Sequence, residues 1–373
     1  MLDYFFFIFC LLSTINIQIK GIDDFFRDYM ALDNTNSIKG IFVWMIIFCH
    51  KMEYLNKKNY IYIRLIKNLG QNIVAMFLFY SGYGIYESLK KKGTNYSSTL
   101  LVKAIILFLE SQIIIILFLI ANIFILKNKI ELKKYLLAII FKKSIGNSNW
   151  FSFTIIAFYL YTYLSFKFIK QIQIGIIIIS FICLLHVILV YNYFYIKRMN
   201  AIETTLCFIG GFFYSSTHNN FDKIIMKSDI YYFGILSIII CIYYKFYWSY
   251  EILNRSIRNL SFALLVLLFS MKIKLKNDFL KFLNSHSYSI YIIQRLIMII
   301  IYKTNILINN NFIQISFEFI SIFFFASIFD RYIYYIYKLF KKNSIKFGMN
   351  GYNIIENVYI NNKGNWNFLE LAK

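Results

Sequence analysis

Apolar stretches recur along this chain at about 38–54, 72–88, 101–126, 150–168, 173–195, 201–216, 229–248, 258–271, 287–303 and 312–336. Most of them reach the roughly 17–25 residues that an α-helix needs to cross a bilayer. Hydrocarbon offers no water to pair with a bare backbone, so a spanning segment must satisfy its own amides, and a helix does so within itself. The stretches at 201–216 and 258–271 are short, which leaves tilt, re-entry or wider boundaries open. A piece at 134–142 reads as interfacial. One more apolar run extends from Leu2 to about Ile19. It has Asp3 near its start and Gln18-Ile19-Lys20 at its end, without the basic start and small-residue cleavage site of a secretory signal. It reads as a retained helix. The expectation is an all-α membrane protein, a polytopic bundle of about 10–11 transmembrane helices.

Composition removes the soluble alternative. Hydrophobic residues make up 59% of the 373 and charged residues 16%, against about 25% charged in soluble domains. A net charge of +22 raises nucleic acid as a partner. The cations, however, sit in short runs between apolar stretches, such as Lys90-Lys91-Lys92 and Lys142-Lys143. That dispersal suits lipid headgroups rather than a DNA-binding stripe, so membrane lipid is the expected partner and nucleic acid is not. Nearly every loop is net positive, so the charge rule does not fix orientation. Cys10, Cys49, Cys183, Cys207 and Cys241 each lie in an apolar run without CxxC spacing and read as buried thiols. The chain has no proline and is rich in Ile, Asn, Lys, Phe and Tyr. All five have AT-rich codons, which points to a low-GC genome.

Few residues are placed to carry chemistry. His50 lies within the first long span, and an ionisable group there is a functional candidate. Lys39 precedes it by eleven residues, which puts both on one helix face about 16 Å apart along the axis. They are too far apart to bond, yet suited to two ends of one long ligand. Glu53, at i+3, is placed to orient His50. The alternative is a histidine at a helix end among headgroups, with Lys39 snorkelling. The segment Phe77 to Gly84 contains Ser81, Gly82 and Tyr83, where a ligand or a second helix could approach closely. Late in the chain, Gln294 and Arg295 interrupt an apolar run and should face a cavity or a partner. His286 reads as a loop residue before that run, His186 as a core histidine and His218 as a loop residue without a role. Four scattered histidines without HxxxH spacing speak against a metal site.

Four of these segments, in this order, resemble the membrane-bound acyltransferase-3 family. They are Ile38-Lys39-Gly40-Ile41 through His50, Phe79-Tyr80-Ser81-Gly82-Tyr83-Gly84, Asn149-Trp150-Phe151, and Ser287 through Gln294 with Tyr291. The resemblance covers 34–337, which leaves an extra transmembrane helix at 1–20 and a polar tail at 343–373. Lys39 stands where the family often has Arg, and the family's Arg-x-x-Arg pair after the second helix is not present. The resemblance implies an O-acyltransferase that moves an acyl group, typically acetyl, from acyl-CoA to a hydroxyl of a cell-surface or lipid-linked carbohydrate. It implies no bound cofactor, and a multi-pass location in the cytoplasmic membrane of a low-GC bacterium. His50 matches the essential histidine, as base or as acyl acceptor. Lys39 matches the basic position of that motif, while Ser81, Gly82 and Tyr83 match the second motif. Lys39, Glu53, Ser81, Gly82, Tyr83 and Arg295 are the donor-binding or supporting candidates. A multispan transporter or polysaccharide flippase is the competing class, and inverted repeats or broken helices would favour it. The sugar, the acyl chain and the oligomeric state are not readable.

Overall fold

The computed structural model describes residues 2–54, 61–128, 130–194, 199–303 and 311–345. Each expected span is a helix: α2 (Leu32–Tyr54), α3 (Ile61–Lys92), α4 (Ser97–Ile120), α6 (Trp150–Phe168), α7 (Ile172–Phe194), α8 (Met199–Ile225), α9 (Asp229–Lys245), α10 (Ile252–Lys272), α12 (Ser287–Lys303) and α13 (Asn311–Ile345). Shorter helices are α1 (Leu2–Ser13), α5 (Leu132–Ile139) and α11 (Asp278–Ser285). The two doubtful spans are resolved by wider boundaries: α8 has 27 residues and α10 has 21. The all-α membrane bundle is borne out, with ten helices of at least 17 residues among the described residues. The polar tail expected at 343–373 lies, beyond Ile345, outside the described residues.

The N-terminal run departs from expectation. The helix expected over 1–20 stops at Ser13 after 12 residues. At 1.5 Å per residue that is about 18 Å, short of a bilayer's hydrocarbon thickness. The chain then forms a short strand, β1 (Ile17–Ile19), antiparallel to β2 (Ile273–Leu275), with Ile17 opposite Leu275. Ion pairs surround this clasp. Lys272 holds Asp229 at 2.5 Å, and Lys274 holds Asp28. The hydrogen bond from Lys274 keeps the Asp28 carboxyl below the usual carboxylate range. Asp28 therefore stays charged at neutral pH, and its pairing with Lys274 is lost as acid protonates it.

Burial is arranged for lipid rather than water. On α7, Ile177, Phe181 and Ile188 point outward, each more than half exposed. Asn72, Glu203, Asn259 and Gln294 are fully enclosed instead. Among the described residues, five segments are long and apolar enough to cross a membrane: Thr94–Ile125, Trp150–Phe168, Ile172–Asn192, Ile252–Lys272 and Ile313–Tyr335. The buried polar residues are spread through the bundle, with the largest groups on α2, α6, α8 and α10.

Two close approaches fix the centre of the bundle. A Cβ at Gly82 on α3 would collide with the Phe208 carbonyl of α8, and one at Gly211 on α8 would collide with the Phe79 carbonyl of α3. The two backbones therefore pack directly on each other, the small-residue contact that membrane helices favour. A Cβ at Gly40 on α2 would likewise run into the Leu280 carbonyl. That close fit seats α11 against α2. Trp44, one turn further along α2, stacks on Phe9 with ring centroids 4.9 Å apart and meets Phe319 of α13 at 4.5 Å. Gly84, by contrast, has open space at its Cβ position. Gly82→Ala should therefore cost about 1–3 kcal/mol through overpacking, while Gly84→Ala leaves stability unchanged or improved. Thermal unfolding of the two variants in detergent checks this, and equal midpoints would show that the α3–α8 contact is not tight.

Candidate active site

A cavity of about 880 Å³ opens between α2, α3, α4, α6, α11, α12 and α13. Toward the clasp end its wall carries Asp33, Asn36 and Lys281, with Lys281 bridged to Asp33 at 3.3 Å. Deeper in, Lys39 lines it beside Tyr80, and the ammonium lies 5.1 Å from the ring centroid. That cation–π contact holds the charge in place without neutralising it. Lys103 of α4 adds a second cation to the wall. Ser81 lines the same cavity and donates to the Tyr159 hydroxyl at 3.1 Å. The floor is reached at Ile46 and Gln294.

His50 lies one turn beyond Ile46 on α2 and is not part of the cavity lining. The i+3 expectation is met in geometry: His50 Nδ1 is 3.0 Å from Glu53 Oε1. Arg295 of α12 donates from Nη2 to the other oxygen of Glu53. A carboxylate accepts only, so a neutral His50 carries its proton on Nδ1 and presents Nε2 as the basic nitrogen. The neighbouring Lys51 donates to Glu318 of α13 at 2.6 Å, and both side chains are buried. This pair ties α2 to α13 at the His50 turn. At the clasp end, Asn284 of α11 donates to Asn36 of α2 at 3.1 Å. The segment α11–α12 is thus held against α2 near both ends of the cavity.

The Ser81-Gly82-Tyr83 group does not act in one place. Ser81 faces the cavity, whereas Gly82 serves the packing of α3 on α8. Tyr83 points into a separate polar pocket of about 750 Å³ with His218 and Asp222. Nearby, the buried Tyr29 hydroxyl donates to Asp222 at 2.9 Å. Successive helical residues are rotated by about 100°, so three in a row cannot share one face. Arg295, similarly, is occupied with Glu53, and it is its neighbour Gln294 that lines the cavity.

The remaining histidines divide. His186 pairs with the Tyr161 hydroxyl at 2.9 Å among Phe153 and Phe158, in the manner of a core residue. His218 lies within α8 rather than in a loop and donates to the Ser215 carbonyl at 2.9 Å. His286 stands between α11 and α12, as the sequence indicated, but its burial and its partner were not legible there. It is only 2% exposed and places Nδ1 2.5 Å from Asp330 Oδ2. Ser289 donates to the other oxygen of Asp330 at 2.5 Å. All three line the cavity that contains Lys39. One signal was available in the sequence: Asp330 is an acid inside the long apolar run of α13, which is costly unless it is paired or functional.

The comparison with protein-family models matches this chain over residues 33–331 to the acyltransferase-3 model, described as an acyltransferase domain. No curated protein and no solved structure matches it. The match begins at the start of α2 and ends one residue after Asp330, so it takes in the cavity, His50 with its partners, and the buried histidine–aspartate pair. This membrane bundle belongs to the acyltransferase-3 family.

Proposed function

We propose that the protein transfers an acyl group, acetyl in the first instance, from acyl-CoA to a hydroxyl of a cell-surface or lipid-linked carbohydrate. The observation that carries this reading is the unit His50–Glu53–Arg295, built beside a cavity that Lys39 and Lys103 line, in an acyltransferase bundle. Glu53 fixes the imidazole's tautomer and orientation, and Arg295 fixes Glu53. Nε2 of His50 then takes the acceptor's proton as its oxygen attacks the thioester, or receives the acyl group and passes it on. Lys39 and Lys103 supply positive charge for the phosphates of the donor, while Tyr80 keeps Lys39 in position. The chain resides in the cytoplasmic membrane, where an internal acyl-CoA pool and lipid-linked glycans both have access. A transporter or flippase would also have a large interior cavity. Consumption of acetyl-CoA by the purified protein, with a matching mass gain on the glycan, separates the two.

His50→Ala should lower transfer by on the order of 10²–10⁴-fold, the range of a lost general base, in a protein that still inserts and folds. Near-native turnover would remove His50 from the mechanism. Glu53→Gln should retain part of the activity, because the amide oxygen still accepts from Nδ1 while the charge is gone.

Lys39→Ala should raise the KM for acetyl-CoA by roughly tenfold or more, the worth of a charge-assisted hydrogen bond. Lys39→Arg should stay near the native value, since the charge is kept and a fork suited to phosphate is added. Donor saturation curves on matched amounts of folded protein give the result. An unchanged KM with lowered turnover would place Lys39 in the chemistry instead, and no change in either would leave it as a structural cation of the cavity wall.

A further inference from the structure

Outside the cavity at Lys39, the clasp end of the bundle holds the second pocket, about 750 Å³, between the segment 27–31 and the helices α3 and α8. Its carboxylates are already engaged. Asp28 pairs with Lys274, and Asp222 accepts from the Tyr29 hydroxyl at 2.9 Å through one of its oxygens. Its cations are not. Arg27 and Lys223 line the pocket, are exposed, and make no ion pair among the described residues. His218 gives Nδ1 to the Ser215 carbonyl at 2.9 Å, which leaves Nε2 of the neutral ring as an acceptor. The second oxygen of Asp222 is another acceptor, and Tyr83 meets His218 edge-on at 6.2 Å. Tyr83, His218 and Asp222 each keep part of their surface open. The pocket thus presents two cations that match an anion beside acceptors that match hydroxyl donors. A bare anion would face those acceptors with no proton to give, and a neutral sugar would leave the cations unmet. A phosphate ester that carries hydroxyls satisfies both. On the same turns of α8, Phe221 and Ile224 are about half exposed. A basic pocket between membrane helices, next to an apolar outer surface, is a setting that suits a lipid headgroup.

We propose that this pocket binds the headgroup of an anionic lipid whose phosphate carries free hydroxyls, with phosphatidylglycerol as the simplest case. The phosphate lies between Arg27 and Lys223, the hydroxyls face Asp222 and Nε2 of His218, and the acyl chains run over Phe221 and Ile224. The site is separate from the cavity at Lys39 and does not depend on the acyl-transfer reading. A lipid bound there ties the segment ahead of α2 to α3 and α8. Tyr83 directly follows Gly82, on which the backbone contact of α3 with α8 depends, so the lipid braces that contact from the membrane surface. A polyol phosphate free in water offers the same chemistry, and the experiment separates the two sources.

The test follows the thermal unfolding midpoint of the full-length protein in vesicles of phosphatidylcholine alone, or with equal amounts of phosphatidylglycerol or phosphatidylserine added. Phosphatidylglycerol should raise the midpoint, because a ligand of the folded state stabilises it. Phosphatidylserine, of the same net charge but without free hydroxyls, should raise it less. The double variant Arg27→Ala/Lys223→Ala should need roughly tenfold or more phosphatidylglycerol for the same rise, the worth of a lost charge-assisted contact. In phosphatidylcholine it should unfold like the native chain, since both side chains are exposed and outside any ion pair. If the double variant does not fold, Lys223→Gln alone carries the same expectation. Equal native midpoints with and without phosphatidylglycerol overturn the proposal, as does a folded variant that responds like the native chain. A rise with phosphatidylserine as large as with phosphatidylglycerol reduces the effect to surface charge and also overturns it. Glycerol 3-phosphate added to phosphatidylcholine vesicles decides the source. No rise assigns the pocket to the lipid, whereas a full rise that the double variant loses overturns the lipid assignment in favour of a free polyol phosphate.

Discussion

Everything in this bundle follows from the absence of water in hydrocarbon. A polar group facing lipid has no partner, so polar side chains turn inward and find one another there. Glu203 is fully enclosed and pairs with Arg255 of α10 at 2.9 Å, while Lys51 pairs with Glu318 and His286 with Asp330. Isoleucine and phenylalanine take the outer surface in exchange. Such a protein is inverted relative to a soluble one: its interior is where the chemistry concentrates, and its surface is chemically plain. A cavity opened inside such a bundle is lined with functional groups as a matter of course.

Those groups need close helix contacts to be held at useful distances, and glycine supplies them at two places. Gly82 and Gly211 let α3 and α8 meet backbone to backbone, and Gly40 lets α11 settle against α2. The second contact matters more for the site. It brings the C-terminal end of α11, and with it His286, alongside the part of α2 that carries Lys39. Trp44 then anchors α2 to α13, the helix that supplies Asp330. The cavity wall, with its fixed cation and its buried histidine–aspartate pair, thus depends on one small residue and one large one, four positions apart on α2.

The site has two separated centres. At one end of α2 the His50–Glu53–Arg295 unit lies just past the cavity floor. Nearer the other end, Lys39 and the His286–Asp330 pair share the cavity wall. A donor with anionic groups at one end and a reactive thioester at the other is long enough to use separated anchors, and a multi-helix cavity is the architecture that offers them. Family membership supplies the reaction class, and the arrangement of side chains supplies candidate roles within it.

The sequence alone determined whatever depends on one segment at a time. Apolar length set the ten spans, because bilayer thickness is a fixed ruler. Helical periodicity set the His50–Glu53 contact and the shared face of Lys39, because 3.6 residues per turn is a local constant. It left the boundaries open where a run was short, as at α8, and failed where a strand replaced the end of an apolar stretch, as at Ile17–Ile19. Contacts between helices were beyond it. Glu53 and Arg295 are 242 residues apart, and His286 and Asp330 are 44 apart. Whether such pairs meet depends on the rotation and depth of each helix. Those are fixed by packing against every neighbour at once, and only the tertiary structure records that outcome.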